Sequence, residues 1–577
     1  MATLGNFTFV LHAHLPYVLS HGRWPHGTDW LSEAASETYI PILDVLTDLV
    51  AEGISPKLTM GITPVLSEQM AHRAFRAELG SFLAIKIKSA IADRRAFLRV
   101  GDRQMADLAR MWERYFTRIR DHYRDHYGED IVGAFRQLQD QGHIEIITCA
   151  ATHGYLPLLG RDVSVQAQIK QAVATHTRLY RRPPRGMWLP ECAYRPRYEW
   201  SPPVGTPQKP ALRKGVEEFL SENGIEYFIT DSAMLRGGRA IGAYLERFEG
   251  LQQLWERFSS GYVERDVAVE KTPRAAYFVH SSPSEIPPVA VLTRDPDTAL
   301  QVWSGQHGYP GDGMYLDFHK KRFPGGHRYW RVTSAGSDLA DKEPYEPERA
   351  AARIPENADH FVDLIREELS TYHQETGAKG IVCAPYDAEL FGHWWYEGPE
   401  FLRHVLRRIA LDPEVALTTG SRFIEETPPV DVVSLPEGSW GEGGYHYIWL
   451  NEHTEWSWKH IYQDEARMQE LAQTYGSSSD PKLQGILQQA GRELLLLQAS
   501  DWQFLISTKS ALDYAELRLV EHHECFQRLA KMAQTYEEKG ELPQGDWHFL
   551  EECSQRDQLF EELDVRWFAE VAVPAEA

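Results

Sequence analysis

Two carboxylates, Asp387 and Glu389, lie within a ten-residue stretch, 386–395, that also contains a tyrosine, a phenylalanine and two tryptophans. The apolar run 380–385 before them is typical of a buried strand, so both acids are expected where that strand meets its loop. Aromatic faces stack on pyranose rings, and carboxylates transfer protons or attack an anomeric carbon. The stretch therefore indicates a sugar-binding cleft, and the alternative is an aspartate that caps a helix among packed rings.

Histidines form a second group of candidate residues near the start of the chain. The apolar run 7–11 is followed by His12 and His14, which face the same way because side chains alternate along a strand. Two such histidines bind a metal or hydrogen-bond a polar substrate. A metal requires a third ligand, for which His153 and Asp387 are the candidates.

The elements that must position these residues are short apolar runs separated by helical segments. Further strands are expected at 57–62, 142–149, 185–194 and 227–231, and Glu191 lies toward the end of the third of these runs. Polar residues gathered at strand ends predict a parallel β/α barrel whose active face collects those ends. An open doubly wound sheet is the alternative, but no glycine-rich phosphate loop follows the first strand.

The remaining segments have a less direct relation to chemistry. Amphipathic helices at 68–125 carry no functional signal, and residues 237–271 predict an insertion that forms a subdomain or lid beside the cleft. The stretch 292–312 predicts a loop rich in aromatic and polar residues. Prolines near 428–436 indicate a domain boundary, and helical periodicity at 464–571 predicts a helical bundle packed on the barrel.

Length, charge and cysteine usage argue against several classes of protein. A chain of 577 residues needs more than one hydrophobic core, and a formal charge of −23 argues against binding nucleic acid or anionic membranes. Five widely spaced cysteines without a CxxC pair indicate reduced thiols rather than a disulfide framework. The first residues lack the basic and apolar regions of a signal peptide and no apolar stretch reaches membrane-spanning length, so we expect neither feature. We expect a cytoplasmic protein that is a monomer or a weak homo-oligomer.

Several long motifs together resemble glycoside hydrolase family 57 and, within it, the 1,4-α-glucan branching enzymes. They occur in the family's order at 12–17, 142–146, 188–194, 386–395 and 449–452. The resemblance implies an incomplete (β/α)7 barrel with an inserted small helical domain and a C-terminal all-helical domain. The expected barrel spans 1–427, with inserted helical or lid segments at about 195–225 and 236–288, and the helical domain at 428–577 completes the substrate cleft.

The same resemblance implies the roles of the site residues. Glu191 is the expected nucleophile and Asp387 the general acid/base of a retaining transfer, with their carboxyls about 5 to 5.5 Å apart and the pKa of Asp387 raised. Glu389 receives no chemical step, no metal or cofactor is expected, and the partner is an α-glucan such as amylose, amylopectin or glycogen. The expected substrate-binding residues are His12, His14, His153, Trp24, Trp303, Trp440, Trp449, Asp501 and Tyr277; for each tryptophan, packing alone is the alternative.

The sequence departs from the family pattern between about 236 and 288. Branching enzymes of the family carry a short mobile loop here, with a tyrosine that caps the cleft, whereas this insertion is longer and its counterpart is Tyr244 or Tyr277. Because that loop keeps water out, the balance between branching and hydrolysis stays open. The alternatives are an α-1,4-glucan hydrolase or a 4-α-glucanotransferase using the same carboxylates, a metal-dependent hydrolase with His12 and His14 as ligands, and a non-catalytic glucan-binding protein.

Overall fold

A computed structural model describes residues 3–236, 249–259, 270–282, 286–304, 308–334 and 336–571. The strands are β1 (Gly5–Ala13), β2 (Leu58–Ile62), β3 (Ile144–Ile147), β4 (Gly186–Trp188), β5 (Tyr198–Trp200), β6 (Ala211–Arg213), β7 (Tyr227–Thr230), β8 (Tyr277–Val279), β9 (Val289–Thr293), β10 (Lys321–Arg322), β11 (His327–Arg328), β12 (Gly380–Asp387), β13 (Val415–Leu417) and β14 (Val432–Val433).

The α-helices are interspersed with these strands as far as β14, and the described residues after β14 contain helices and no strand. They are α1 (Thr28–Ala34), α2 (Ile40–Ala51), α3 (Pro64–Ala71), α4 (Arg73–Arg99), α5 (Arg103–Asp121), α6 (Ile131–Asp140), α7 (Asp162–Tyr180), α8 (Val216–Glu222), α9 (Ala233–Arg236), α10 (Glu249–Ser259), α11 (Pro296–Trp303), α12 (Pro347–Thr376), α13 (Gly398–Ala410), α14 (Gly420–Glu426), α15 (Glu455–Tyr475), α16 (Pro481–Leu497), α17 (Asp501–Thr508), α18 (Leu512–Lys539) and α19 (Gln544–Arg556). Across the described residues, no helix is both long and apolar enough to cross a membrane.

Two groups of parallel strands form the centre of the mixed α/β region. The first runs in the order β12-β1-β2-β3 and the second includes β9-β7-β4. A parallel bridge between Thr148 and Met187 connects the end of β3 with β4. On the other side, the backbone N–H of Asp295, just after β9, donates to the carbonyl oxygen of Cys383 in β12 at 2.9 Å. Seven parallel strands are thereby connected side to side.

Strand β1 and strand β12 are apolar on both faces because helices cover the sheet. Every residue of β1 except Asn6 is buried, as is every residue of β12 except the half-buried Asp387. Continuous apolar runs of this kind are typical of parallel strands buried on both faces. Their register pairs His12 with Asp387. The histidine motif near the start of the chain and the carboxylate motif at 386–395 therefore meet at the carboxyl ends of two neighbouring strands.

Most predicted strands are confirmed within a few residues, and the helical C-terminal region is confirmed from α15 onward. The loop expected at 292–312 is wrong, because strand β9 pairs with β7 and helix α11 follows it. The segment 195–225, expected to be helical or a lid, contains the antiparallel hairpin β5–β6 before α8. Beyond the boundary expected at 427, β14 returns to pair with β8. The pairings of β9 with β7 and of β14 with β8 join segments that are distant in the sequence, and local periodicity does not indicate such pairing.

Gly392, inside the carboxylate motif, provides a test of how tightly this motif packs. Its φ is +120°, and a Cβ atom placed there would lie 1.8 Å from the carbonyl oxygen of Glu37. We expect Gly392→Ala to lower the free energy of unfolding by at least about 3 kcal/mol, because strain and overlap add. Thermal unfolding is the measurement, and Gly485→Ala is the control.

Gly485 lies inside α16 with open space around its Cα. Alanine there is expected to stabilise the protein by about 0.5–1 kcal/mol, since glycine loses more backbone entropy in a helix. Equal effects of the two substitutions would contradict the packing described for Gly392.

Candidate active site

A cavity of about 620 Å³ opens at the carboxyl ends of β1, β4 and β12. Its floor and walls combine acids, imidazoles and aromatic rings from both the α/β region and the C-terminal helices. Of the residues predicted from the sequence, those that line it are His12, His14, His153, Glu191, Asp387, Glu389, Trp24, Trp440 and Asp501.

The backbone at Glu191 is held in an unusual conformation. Strand β4 ends at Trp188, and Glu191 and Cys192 follow with φ of +57° and +49°. His153, whose Nδ1 lies 3.9 Å from Oε1 of Glu191, also has a positive φ of +61°. Non-glycine residues in this region carry strain that persists only where surrounding contacts enforce it, and such residues cluster at functional sites. The turn therefore points the Glu191 carboxyl into the cavity at a conformational cost.

The Glu191 carboxyl is held by two residues from the distal part of the chain. Trp440 donates its indole Nε1–H to Oε2 at 2.8 Å, and Ser500 donates its hydroxyl to Oε1 at 3.4 Å. The backbone N–H of Trp440 also donates to the carbonyl oxygen of Glu191 at 3.1 Å. These contacts fix the direction of the carboxyl within the cavity.

Burial raises the pKa of Glu191 to about 8. The hydrogen bond from Trp440 opposes this rise, the negative charges of Asp387 and Asp501 add to it, and the bond from Ser500 lowers it. A negative charge on Asp387 therefore disfavours ionisation of Glu191.

Asp387 lies at the last position of β12, directly before a short 3₁₀ turn. Its side chain makes no capping hydrogen bond to that turn. The interpretation of Asp387 as a helix cap is therefore wrong, and its carboxyl lines the cavity instead.

Two histidines and a serine form a hydrogen-bonded chain that ends on Glu191. His12 Nε2 lies 3.1 Å from His153 Nε2, and His153 Nδ1 lies 2.8 Å from the hydroxyl of Ser500. If His12 donates through Nε2, each following group both accepts and donates, and the last donor is Ser500 to Glu191. Burial lowers the pKa of both His12 and His153 well below the usual value, so both imidazoles are neutral at neutral pH.

His14 connects the parallel strands with the C-terminal helices. Its Nε2 lies 3.0 Å from both carboxylate oxygens of Asp501, the first residue of α17, and its ring stacks 4.0 Å from that of His153. The potential ligand atoms of His14, His153 and Asp501 lie within 4.8 Å of one another, as do those of His12, Cys149 and His153. Either group offers three donors to a divalent ion, which is the minimum of a catalytic zinc site.

Glu389 holds neighbouring residues of the site in place through hydrogen bonds. Its Oε1 accepts the hydroxyl of Tyr39 at 2.5 Å and the backbone N–H of His14 at 3.1 Å. Burial, followed by the charge of Asp387, raises its pKa to about 8. At neutral pH Glu389 is therefore mostly protonated and holds the backbone of His14 in place.

The structure brings only part of the predicted aromatic set to the cavity. Trp303 is buried and packs edge-on against Trp440 at 5.6 Å, and Trp449 is buried and stacks on Tyr155 at 4.5 Å; neither lines the cavity. Tyr277 is buried in β8, where its hydroxyl donates to the carbonyl oxygen of Thr272 at 3.0 Å. Tyr244 lies outside the described residues.

Other lining residues were not predicted from the sequence. They come from α4, from the β10–β11 hairpin and the residues just before it, and from α1 and the segment before it. They include Phe82, Ile85, Lys86, Phe318, Phe323, Arg23, His26 and Trp30. No functional role was expected for residues 68–125. This expectation is wrong for α4, because residues of this helix line the cavity. The one available signal was a phenylalanine beside the turn residues Pro324-Gly325-Gly326 in a polar loop.

Buried carboxyls at strand ends, neutral imidazoles and aromatic rings around one cavity define an enzyme that acts on glycosidic bonds. The chain belongs to glycosyl hydrolase family 57, whose model matches residues 8–436. A second model, described as the C-terminal region of 1,4-alpha-glucan branching enzyme, matches residues 460–568.

Individual relatives agree with this assignment. The 1,4-alpha-glucan branching enzyme TK1436 of Thermococcus kodakarensis is 42% identical over 96% of this chain and 77% of that protein. The crystal structure of TK1436 in complex with glucose and additives matches with a TM-score of 0.87 at 39% identity, over 99% of this chain and 98% of that chain. The crystal structure of the alpha-amylase AmyC from Thermotoga maritima matches with a TM-score of 0.79 at 28% identity, over 99% of this chain and 100% of that chain.

Substitution of Glu389 tests whether it acts as a neutral acceptor. Glu389→Gln is expected to keep the bonds to Tyr39 and His14, whereas Glu389→Ala removes the acceptor of two buried donors at about 1–3 kcal/mol each. The melting temperature of the alanine variant should therefore fall well below that of the glutamine variant.

The pH dependence of stability, compared between wild type and Glu389→Gln, tests the raised pKa of Glu389. The stability that the wild-type Glu389 carboxyl contributes is complete below its unfolded pKa of 4.5 and is lost as the pH rises through about 8. Glutamine does not titrate, so Glu389→Gln should gain stability relative to wild type between those pH values. A constant difference across that range would contradict the raised pKa.

Proposed function

We propose that this protein is a retaining 1,4-α-glucan branching enzyme, which cleaves an α-1,4 bond and transfers the chain to a 6-hydroxyl. The observation that carries the proposal is the buried carboxyl of Glu191, fixed by Trp440 in the same cavity as Asp387. The match of residues 460–568 to the branching-enzyme C-terminal model supports the transferase over the general glycosidase. The proposed substrate is a neutral α-glucan such as amylose, amylopectin or glycogen, with no cofactor.

The finer architecture is part of the same proposal. We infer that the seven parallel strands form an incomplete (β/α)7 barrel. The bridge from Thr148 to Met187 and the hydrogen bond from Asp295 to Cys383 support closure of the strands into a ring. The C-terminal helices complete the cleft, since Ser500 and Asp501 both reach its floor.

In the first half-reaction, Glu191 attacks the anomeric carbon while Asp387 gives its proton to the leaving oxygen. The carbon–oxygen bond breaks, and the glycosyl group remains on Glu191 as an ester. In the second half-reaction, Asp387 takes the proton of an acceptor 6-hydroxyl, whose oxygen attacks the anomeric carbon and releases Glu191. The reaction requires Asp387 protonated and Glu191 ionised at the start. Because burial raises the pKa of Glu191 to about 8, the ionised fraction of Glu191 increases as the pH rises toward that value.

The neighbours of the two carboxyls bind and orient the sugar in this proposal. His12, His14 and His153 are placed to hydrogen-bond hydroxyls around the reacting bond, and Asp501 does so from the helical side. Trp440 and Trp24 offer faces to the glucan. Trp303 and Trp449 act indirectly, because their packing holds Trp440 and Tyr155.

A glucan hydrolase on the same carboxyls is the second candidate, and the similarity to AmyC favours considering it. The two functions differ only in whether water or a sugar hydroxyl resolves the ester. Incubation with amylose, followed by debranching and chain-length analysis, separates them. New α-1,6 linkages are expected, whereas new reducing ends alone would show a hydrolase.

Replacing either catalytic carboxyl tests the assignment of roles. Glu191→Gln is expected to lower the branching rate by at least about 10³-fold, because no nucleophile remains. Asp387→Asn is expected to lower it by about 10²–10⁴-fold, through loss of proton transfer. Glu397→Gln is the control, since Glu397 is a buried acid outside the cavity. Full branching activity of Glu191→Gln on amylose would end the proposal.

Trp440→Phe tests how the hydrogen bond to Glu191 sets the pH profile. The bond favours the ionised carboxylate, so its loss raises the pKa of Glu191. We expect the acid limb of kcat/KM to move to higher pH by roughly one to two units. Trp449→Phe, which alters a buried ring outside the cavity, should leave the limb in place. An unshifted limb in Trp440→Phe would contradict the role of the bond.

A further inference from the structure

We propose that Phe323 forms an outer contact surface for the glucan, and that with Trp24 it holds the chain at the mouth of the cavity. Among the residues that the structure describes, Trp24 and Phe323 are the most exposed aromatic side chains, each at 73%, and Tyr198 follows at 37%. Both line the cavity that contains Glu191 and Asp387. The identity of the ligand rests on the proposed function.

The hairpin that carries Phe323 is firmly attached at its base. Arg322 forms an ion pair with Asp93 of α4 at 2.9 Å, and Tyr329 donates its hydroxyl to the same carboxylate at 2.8 Å. His327 donates to the carbonyl oxygen of Lys86 at 3.0 Å. These three attachments fix β10 and β11 against α4, so the exposed ring at the tip has a defined position.

The turn that carries Trp24 is held in the same manner. The N–H of Thr28 donates to the carbonyl oxygen of Gly22 at 3.1 Å, and the N–H of Asp29 donates to that of Arg23 at 3.0 Å. Arg23 and Asp29 also form an ion pair at 3.0 Å. The turn at Trp24 precedes β2 in the sequence, and the hairpin at Phe323 follows β3. Each of these two segments thus presents one exposed aromatic ring to the same cavity.

Exposed aromatic rings leave apolar surface in water unless a ligand covers it. The cavity floor holds hydrogen-bonding groups and the mouth holds rings, which matches a chain of neutral sugars with hydroxyl edges and C–H faces. A glucan bound at the carboxyls contacts Phe323 only if its chain is long enough to reach the mouth. Phe323 is therefore expected to discriminate by chain length and not by the chemistry of the bond cleaved.

The test measures affinity in the Glu191→Gln background, so that no turnover interferes. Isothermal titration with maltotriose and with amylose is repeated after Phe323→Ala. We expect amylose affinity to fall by about 2- to 10-fold, the range for one aromatic contact, and maltotriose affinity to fall by less than 2-fold. Phe323→Trp should restore amylose binding. Leu411→Ala, which truncates a side chain that is 75% exposed and outside the cavity, is the matched control.

Equal loss for both ligands, no loss for either, or the same loss with Leu411→Ala would overturn the role of Phe323. Linkage analysis of the wild-type product tests the branching proposal separately. If wild type forms no α-1,6 linkages while Phe323→Ala still weakens amylose selectively, the outer contact stands and the branching assignment fails. New α-1,6 linkages in the wild-type product, together with unchanged amylose affinity in Phe323→Ala, would support the branching assignment and overturn the role of Phe323.

Discussion

The hydrogen bond from the Trp440 indole to the Glu191 carboxyl is the contact on which the site depends. It joins a strained turn after β4 to a segment almost 250 residues later. Ser500 to Glu191 and His14 to Asp501 join the same two parts of the chain. A cleft built in this way exists only when the C-terminal helices have docked on the strand ends. The geometry of the catalytic residues therefore depends on packing between segments that are distant in the sequence.

The electrostatics of the cavity follow from enclosure more than from the overall charge. The chain carries a formal charge of −23, yet burial keeps His12 and His153 neutral and raises the pKa of Glu191 and Glu389. In a site of low dielectric, hydrogen bonds donated to a carboxylate oppose this rise in its pKa. This explains why an indole and a hydroxyl, neither of which is charged, are placed on Glu191.

The helical insertion between β2 and β3 shapes the entrance to the site. Helix α4 lines the cavity with Phe82 and Ile85, and Asp93 and the carbonyl of Lys86 anchor the β10–β11 hairpin. A rigid scaffold that carries ligand contacts on short loops is a common division of labour in enzymes. Here the strand ends supply the reacting groups, and α4 with the hairpin supplies the entrance.

The sequence by itself determined that Asp387, Glu191 and His12 lie at or just after the ends of apolar strands, since a parallel strand buried on both faces is a continuous apolar run that polar residues bring to an end. The motif order also indicated the family. Only the tertiary structure decided that Trp440 contacts Glu191 while Trp303 and Trp449 pack behind the site, because identical indoles differ only in their neighbours. Strand β9, the lining by α4 and the raised pKa of Glu191 likewise arise from contacts between distant segments, on which local periodicity carries no information.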